Sequence, residues 1–484
     1  RTETDMAPVH VLVFPWPLQG HINSMLHFAA GLLGVGIHVS FVHTEHNLRR
    51  VDLAKAAASP RLRIMSLPDG LPDDHPRSVD DLKDLAKSLI TTGTVPYRAL
   101  LASMLSAGSR AVDAADATDS GFPPLSCVVA DGLLPFAIDI AEDLGVPALA
   151  FRTASACSVL AYLSAPKLME VGEVPIPVGA DLDELVLGVP GMEDFLRRRD
   201  LPGTCRLRAE TNAVDPLLHI LVNYSVHSSK ARALIFNSPA SLEGLALAHI
   251  APHMRDVFAI GPLHAISAAP VLPTSLWRED DGCMAWLDGH ADRSVVYVSL
   301  GSLAVISLEQ FTEFLSGLVG AGYAFVWVLR PDMVGESQRG VLQEAIDAAG
   351  NDKMRVVDWA PQRDVLRHRA VGCFLTHAGW NSTLEGVVEG VPLVCWPFFA
   401  DQQINSRFVG AVWGNGLDMK DVCERAVVEG MVREAMVSGE LRMSAQALAQ
   451  QVRRDIAEGG SSATEFERLL CFIKELTAKG CSPK

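Results

Sequence analysis

Long uncharged apolar runs are missing from this 484-residue chain, although 49% of its residues are hydrophobic and its mean hydropathy is slightly positive. No stretch reaches the roughly 18 apolar residues that a membrane-spanning helix needs. Basic residues are in deficit: 41 Lys and Arg stand against 57 Asp and Glu, a formal net charge of −16. That balance argues against a general affinity for nucleic acid or anionic membrane, which need clustered cations. It still allows a small anion at a helix N-terminus. The nine cysteines are scattered and form no CxxC pair, so neither a zinc ribbon nor a disulfide framework is indicated, and a reducing compartment, the cytosol, is expected. The polar start, Arg1 to Asp5, has no apolar core of a signal peptide, and Met6 is a candidate natural start. Phosphate-loop and zinc-protease motifs do not occur. Gly34-Val35-Gly36 lacks the third glycine of a dinucleotide fingerprint and follows a helical pattern, so it reads as a turn. His43 and His46 lack identifiable further ligands, and the sequons at Asn223 and Asn381 read as chance matches in a chain without a secretion signal.

What is present is a repeating alternation of short apolar runs and amphipathic segments. Val9–Phe14 reads as a buried strand; Ile22, Met25, Leu26, Ala29 and Leu33 then keep helical spacing, and Ile37–Val42 starts another strand. Further strands are expected at 125–130, 148–151 and 233–237, and again at 294–300, 324–329, 354–357, 372–376 and 393–396. Such βαβ repetition implies an α/β protein with parallel sheets. Ser307 and Gln310 have the spacing of a capping box. The Ala/Ser/Pro-rich stretch from His264 reads as a linker. It divides the chain into an N-terminal domain, 6–263, a linker, 264–280, and a C-terminal domain, 281–458. A final segment, 459–484, carries Phe466, Leu469, Leu470 and Ile473 at helical spacing and could pack back on the N-terminal domain. Residues 160–215 are the least regular and suit variable, substrate-facing loops.

Residues 359–402 are the richest in chemistry. A strand at Gly372–Thr376 runs into a small-residue turn, His377-Ala378-Gly379, and a helix opens at Trp380-Asn381-Ser382. A strand, a tight turn and a helix N-terminus make an anion site, with free N–H groups and a positive dipole end. Glu385 follows Asn381 by one turn and could reach ribose hydroxyls; Trp359 offers a flat face for a base; Asp401 and Gln402 could hold sugar hydroxyls. The residues alone leave open an ordinary βαβ pair with incidental polar loops.

This segment resembles the 44-residue signature box of plant family 1 UDP-glycosyltransferases, with Trp359, Gln362, His377, Gly379, Asn381, Ser382, Glu385, Pro392, Asp401 and Gln402 at the pattern's positions. The resemblance extends over the chain: Phe14-Pro15 through Asn23, Val129-Ala130-Asp131, Ile260–Leu263, Trp286-Leu287-Asp288 and Val296–Ser302 match further family motifs. It implies a GT-B fold, two Rossmann-like domains facing across a cleft. It assigns Trp359 and the Ala360 backbone to uracil, and Gln362 and Glu385 to ribose. His377, Asn381 and Ser382 fall to the diphosphate beside Gly379 and Ser302, and Trp380, Asp401 and Gln402 to the sugar. Glutamine at the last position accompanies UDP-glucose in the family.

By the same resemblance His21 is the general base for the acceptor hydroxyl and Asp131 its partner. A carboxylate on the far imidazole nitrogen would orient the ring and stabilise the cation it becomes. The implied reaction is a single inverting displacement giving a β-glucoside and UDP. It is expected to need no metal and no cofactor, UDP-glucose being a co-substrate. Trp16, Thr153, Ser155 and Ala400 are candidates to line the acceptor site. The expected protein is a cytoplasmic monomer, without nucleic-acid or stable membrane partners, that acts on a phenolic, flavonoid, terpenoid or similar acceptor. Residues 80–215 resemble the branch with iridoid and cyanohydrin glucosyltransferase-like members. Another donor sugar, extension of an existing glycoside and a non-catalytic binding homologue are the alternatives. A homologue of that last kind would lack His21 or Asp131, and both are present.

Overall fold

A computed structural model describes residues 8–51, 59–75, 77, 82–113, 121–266, 277–350 and 352–480. The chain divides into two compact units. The first comprises Arg1–Leu163, His219–Leu276 and Asp455–Lys484; the second comprises Ser164–Leu218 and Trp277–Arg454.

The first unit is built on a seven-stranded sheet. Its strands are β1 (His10–Phe14), β2 (His38–Thr44), β3 (Leu62–Leu67), β4 (Cys127–Asp131), β5 (Ala148–Arg152), β6 (Leu234–Phe236) and β7 (Val257–Ala259). They lie in the order β3-β2-β1-β4-β5-β6-β7, and every pair is parallel. β1, β4 and β5 are buried at every position. Their near-continuous apolar sequence follows from burial on both faces, as helices pack on each side of a parallel sheet. The helix Gln19–Gly34 covers one face through Ile22, Met25, Leu26 and Ala29. It ends where Gly36 takes φ +85°, so the Gly-Val-Gly stretch is the turn that its sequence suggests. Helix Ser461–Gly480 joins the same core with Phe466, Leu469, Leu470 and Ile473, all buried. At about 1.5–3 kcal/mol for each fully buried large apolar side chain, these four anchor the end of the chain to the first unit.

The second unit repeats the plan with six strands: β8 (Val295–Ser299), β9 (Ala324–Val328), β10 (Met354–Val357), β11 (Val371–Thr376), β12 (Leu393–Cys395) and β13 (Gly416–Asp418). The order is β10-β9-β8-β11-β12-β13, again all parallel. The capping box holds: Ser307 Oγ accepts from Gln310 N and Gln310 Oε1 accepts from Ser307 N, both at 3.1 Å, at the start of helix Leu308–Ala321. The α/β class with parallel sheets is therefore what the chain adopts.

Two placements differ from the sequence reading. Ser164–Leu218, expected within the N-terminal domain, clusters with the second unit. A buried ionic knot ties it there. Asp200 receives Lys420 Nζ at 2.9 Å, Arg197 Nε at 3.0 Å and Arg407 Nε at 3.4 Å, and Lys420 also pairs with Asp418 at 3.3 Å. Removing one partner from such a knot leaves a buried charge uncompensated. Of the expected linker, 264–280, the first residues continue the short helix Leu263–Ile266, while 267–276 lie outside the described residues.

Candidate active site

In each sheet the strand order reverses once, between β1 and β4 in the first unit and between β8 and β11 in the second. Ligands of doubly wound folds bind beyond the carboxyl ends of the strands at such a reversal. The sequence-derived candidates sit at these two places.

In the first unit β1 ends at Phe14, and the loop through Trp16 feeds helix Gln19–Gly34, which carries His21 in its first turn. Asp131 is the last residue of the neighbouring β4. His21 Nδ1 lies 2.7 Å from Asp131 Oδ2 and 2.8 Å from Thr153 Oγ1, just past β5. A carboxylate can only accept, so Nδ1 carries the proton and Nε2 is left as the basic nitrogen. Asp131 is 1% exposed and also accepts from Leu133 N at 2.9 Å and Trp16 N at 3.3 Å. Burial opposes its charge, but His21, the Leu133 amide and Arg152 outweigh it and hold the carboxyl below the usual carboxylate range. The His21 side chain keeps 22% of its surface open. A buried anion behind a partly open imidazole is the arrangement of a general base.

In the second unit β11 ends at Thr376, and Ala378 takes a left-handed φ of +60° in the turn before helix Trp380–Glu389. Gly379 is the N-cap residue and has no side chain to cap the first turn. The His377 ring is wedged between two glycines. A Cβ on Gly301 would lie 2.6 Å from its Nε2, and one on Gly379 2.4 Å away. Burial pulls His377 down to about 4, against the Ser299 carbonyl, so the ring is neutral at pH 7. Gln362 organises the next part: Tyr297 Oη donates to its Oε1 at 3.1 Å, and its Nε2 donates to Ser382 Oγ at 3.0 Å and Glu385 Oε2 at 2.7 Å. Burial pushes the Glu385 carboxyl up to about 7, with Gln362 and Arg363 pulling it back. Gln402 Oε1 accepts from the Phe398 and Phe399 amides at 2.8 and 3.1 Å, which fixes the carboxamide against the preceding turn. Trp359 stacks on Trp277 with centroids 6.2 Å apart, Arg330 lies 4.6 Å over Trp277, and Arg330 Nη1 donates to the Ser302 carbonyl at 2.5 Å. Ala360, whose backbone was expected at uracil, is buried beside this stack.

The candidates thus fall into two groups, one in each unit. Thr153, a candidate for the acceptor side, places its hydroxyl 2.8 Å from His21 Nδ1. Ser155 is buried, and its Oγ accepts from Ser158 N at 3.2 Å as a helix cap. The Trp16 ring is buried, and its amide reaches Asp131. Trp380 is buried too, its ring 6.3 Å from that of Trp413. Ala400 occupies a left-handed turn position, φ +58°, beside Asp401. Sequence reasoning missed Asn405, whose Nδ2 donates to the Ala378 carbonyl at 2.9 Å and to Asp401 Oδ2 at 3.0 Å, pinning the strained turn to the carboxylate. Its only signal was its place four residues after Asp401. No group of His, Cys, Asp and Glu that could hold a metal ion occurs among the described residues, and no described helix is long and apolar enough to cross a membrane.

Residues 117–436 match the family described as UDP-glucoronosyl and UDP-glucosyl transferase. The chain is 44% identical to a myricetin 3-O-rhamnoside 1,2-glucosyltransferase of Crocosmia x crocosmiiflora, over 98% of this chain and 97% of the other. It is 41% identical to a 7-deoxyloganetic acid glucosyltransferase of Catharanthus roseus, over 98% and 99%. Among solved structures, a UDP-glucose:anthocyanidin 3-O-glucosyltransferase in complex with UDP superposes with a TM-score of 0.81 at 23% identity, covering 98% of this chain and 100% of that one. A UDP-glucosyltransferase from Polygonum tinctorium capable of glucosylating indoxyl does so with a TM-score of 0.77 at 26% identity, covering 98% and 100%. The fold is therefore GT-B.

Proposed function

Because this chain belongs to the plant family 1 UDP-glycosyltransferases, we propose that it transfers glucose from UDP-glucose to a hydroxyl of a small lipophilic acceptor, with inversion, giving a β-glucoside and UDP. The observation that carries this reading is the 2.7 Å contact between His21 Nδ1 and the buried Asp131 carboxylate. It leaves Nε2 to take the acceptor proton while the acceptor oxygen bonds to the anomeric carbon. The bond to the UDP oxygen breaks in the same displacement, and Asp131 stabilises the imidazolium formed. The second unit holds the donor. Trp359 and the Ala360 backbone take uracil, Gln362 and Glu385 the ribose, and Asp401 and Gln402 the sugar hydroxyls. The first-turn amides of helix Trp380–Glu389, with Ser302, His377, Asn381 and Ser382, take the diphosphate. Preorganised amides and a helix dipole can bear the charge that develops on departing UDP. The reaction then needs no metal and no resident cofactor. In this reading the protein is a cytosolic monomer, in keeping with eight described cysteines that are all free thiols.

Extension of an existing glycoside is a second reading, favoured by the relative named for a rhamnoside acceptor. Incubation with UDP-glucose, a panel of hydroxylated aglycones and their glycosides, and EDTA tests both readings. Mass gain of one hexosyl group on an aglycone, with EDTA present, is the expected result. Gain only on glycosides selects the second reading, and loss of all activity with EDTA overturns the metal-free mechanism.

A further inference from the structure

The turn that carries Thr153 is gripped by a residue far along the chain. β5 fixes Arg152, helix Ala156–Glu170 begins four residues later, and only residues 153–155 connect them. The first two amides of that helix, Ala156 N and Cys157 N, donate to Glu243 Oε2 and Oε1, each at 2.9 Å. The next, Ser158 N, donates to Ser155 Oγ. The helix start is thereby closed to any outside anion. Glu243 is buried, and within helix Ala240–Ile250 it alone leaves helical geometry, at φ −130° and ψ 18°. A buried carboxylate and a kinked helix are both unfavourable unless something fixed is gained. Serine already supplies the ordinary cap, so capping alone does not explain a bidentate carboxylate.

We propose that Glu243 is a positioning residue for the catalytic base. By clamping both amides it fixes residues 153–155 against β5, so that Thr153 Oγ1 stays 2.8 Å from His21 Nδ1. The imidazole is then held by two acceptors on one nitrogen, and Nε2 keeps its aim. This rests on the reading of His21 as the base. Glutamine at 243 can accept only one of the two amides and turns an N–H group toward the other.

The test is a double-mutant cycle of Glu243→Gln and Thr153→Val, read in steady-state glucosyl transfer. Glu243→Gln is expected to lower kcat about ten- to a hundredfold, as small misplacements of reacting groups do. KM for UDP-glucose should stay within about twofold of wild type. In the Thr153→Val background the same change should cost less than about threefold, because coupled residues do not add. Glu243→Asp, with two acceptor oxygens on a shorter arm, should recover part of the loss. An unchanged kcat in Glu243→Gln, or a full multiplicative loss in the valine background, overturns the proposal. If Glu243→Gln does not melt cooperatively, Glu243→Asp takes its place in the cycle with the same two outcomes. Wild-type protein that binds UDP yet glucosylates no acceptor would instead refute the reading of His21, before any variant is compared.

Discussion

Both units wind their first strands in the same order about a single reversal, yet the groups they place there are tuned in opposite directions. In the first unit the buried Asp131 is held ionised by His21, Leu133 and Arg152. In the second, burial pulls His377 down to about 4 and pushes Glu385 up to about 7, so both tend toward their neutral forms. On the proposed function, one site would stabilise a cation that appears during the reaction, which suits a fixed anion, and the other would receive a dianion, which suits a site with little charge of its own. Topology supplies only the location; the loops supply the chemistry.

If this contrast is right, damage in the first unit stops turnover without touching nucleotide binding. His21→Ala should lose about 10²–10⁴ in kcat. Asp131→Asn should approach the same loss, because the amide no longer fixes the Nδ1-protonated tautomer. In both, UDP binding measured by titration calorimetry should match wild type. Normal turnover by His21→Ala would remove the base assignment, and weakened UDP binding in either would erase the division of labour.

Damage in the second unit should do the reverse and appear first in binding. Gly301 has φ +77°, and a Cβ there would lie 2.6 Å from His377 Nε2. Gly301→Ala is therefore strained twice, and overpacking of this kind typically costs about 1–3 kcal/mol. That cost falls on the fold, and a His377 ring displaced to relieve the clash should in addition raise the Kd for UDP. Calorimetry showing wild-type affinity would mean that the cradle yields, and that the glycine is not required for the ring's position.

The contrast was only partly legible in the sequence. Central strands could be read because burial on both faces makes them largely apolar. β3, β7 and β13 were not foreseen, and all three lie at sheet edges. β3 carries Arg63 and Ser66, and the other two are three residues long. His21 and Asp131 were readable as strand-end residues with family motifs around them. Thr153 on His21, Glu243 on the helix start and Asn405 between Ala378 and Asp401 were not, because strand register and helix packing create those contacts and neither leaves a local pattern. Ser164–Leu218 escaped for a related reason. Its placement depends on the Asp200 knot, whose partners are dispersed to residue 420.

Acid–base linkage separates the two units by sign. The folded-state carboxyl of Glu385, at about 7, lies above its ordinary 4.5, so the folded chain holds that proton more tightly than the unfolded chain. The stability linked to it is full below about 4.5 and is lost as pH rises through about 7. Glutamine cannot ionise. Glu385→Gln should therefore melt higher than wild type at pH 8 without UDP, and the gap should close toward pH 4.5. A gain of about 1 kcal/mol, or about 2–4 °C, is expected. If Glu385 holds the ribose as proposed, the same variant should also bind UDP more weakly, since one of its two acceptor oxygens becomes an N–H donor. Asp131 runs the other way: its lowered carboxyl contributes stability above the ordinary carboxylate range that is lost as pH falls through its folded value. Asp131→Asn should therefore melt lower than wild type at neutral pH, with the gap closing in acid. From pH 4.5 to 8 the Glu385→Gln advantage should therefore open as pH rises, while the Asp131→Asn deficit stays constant and closes only below the ordinary carboxylate value of 3.8. Parallel shifts would show that the two switch points are not tuned oppositely after all.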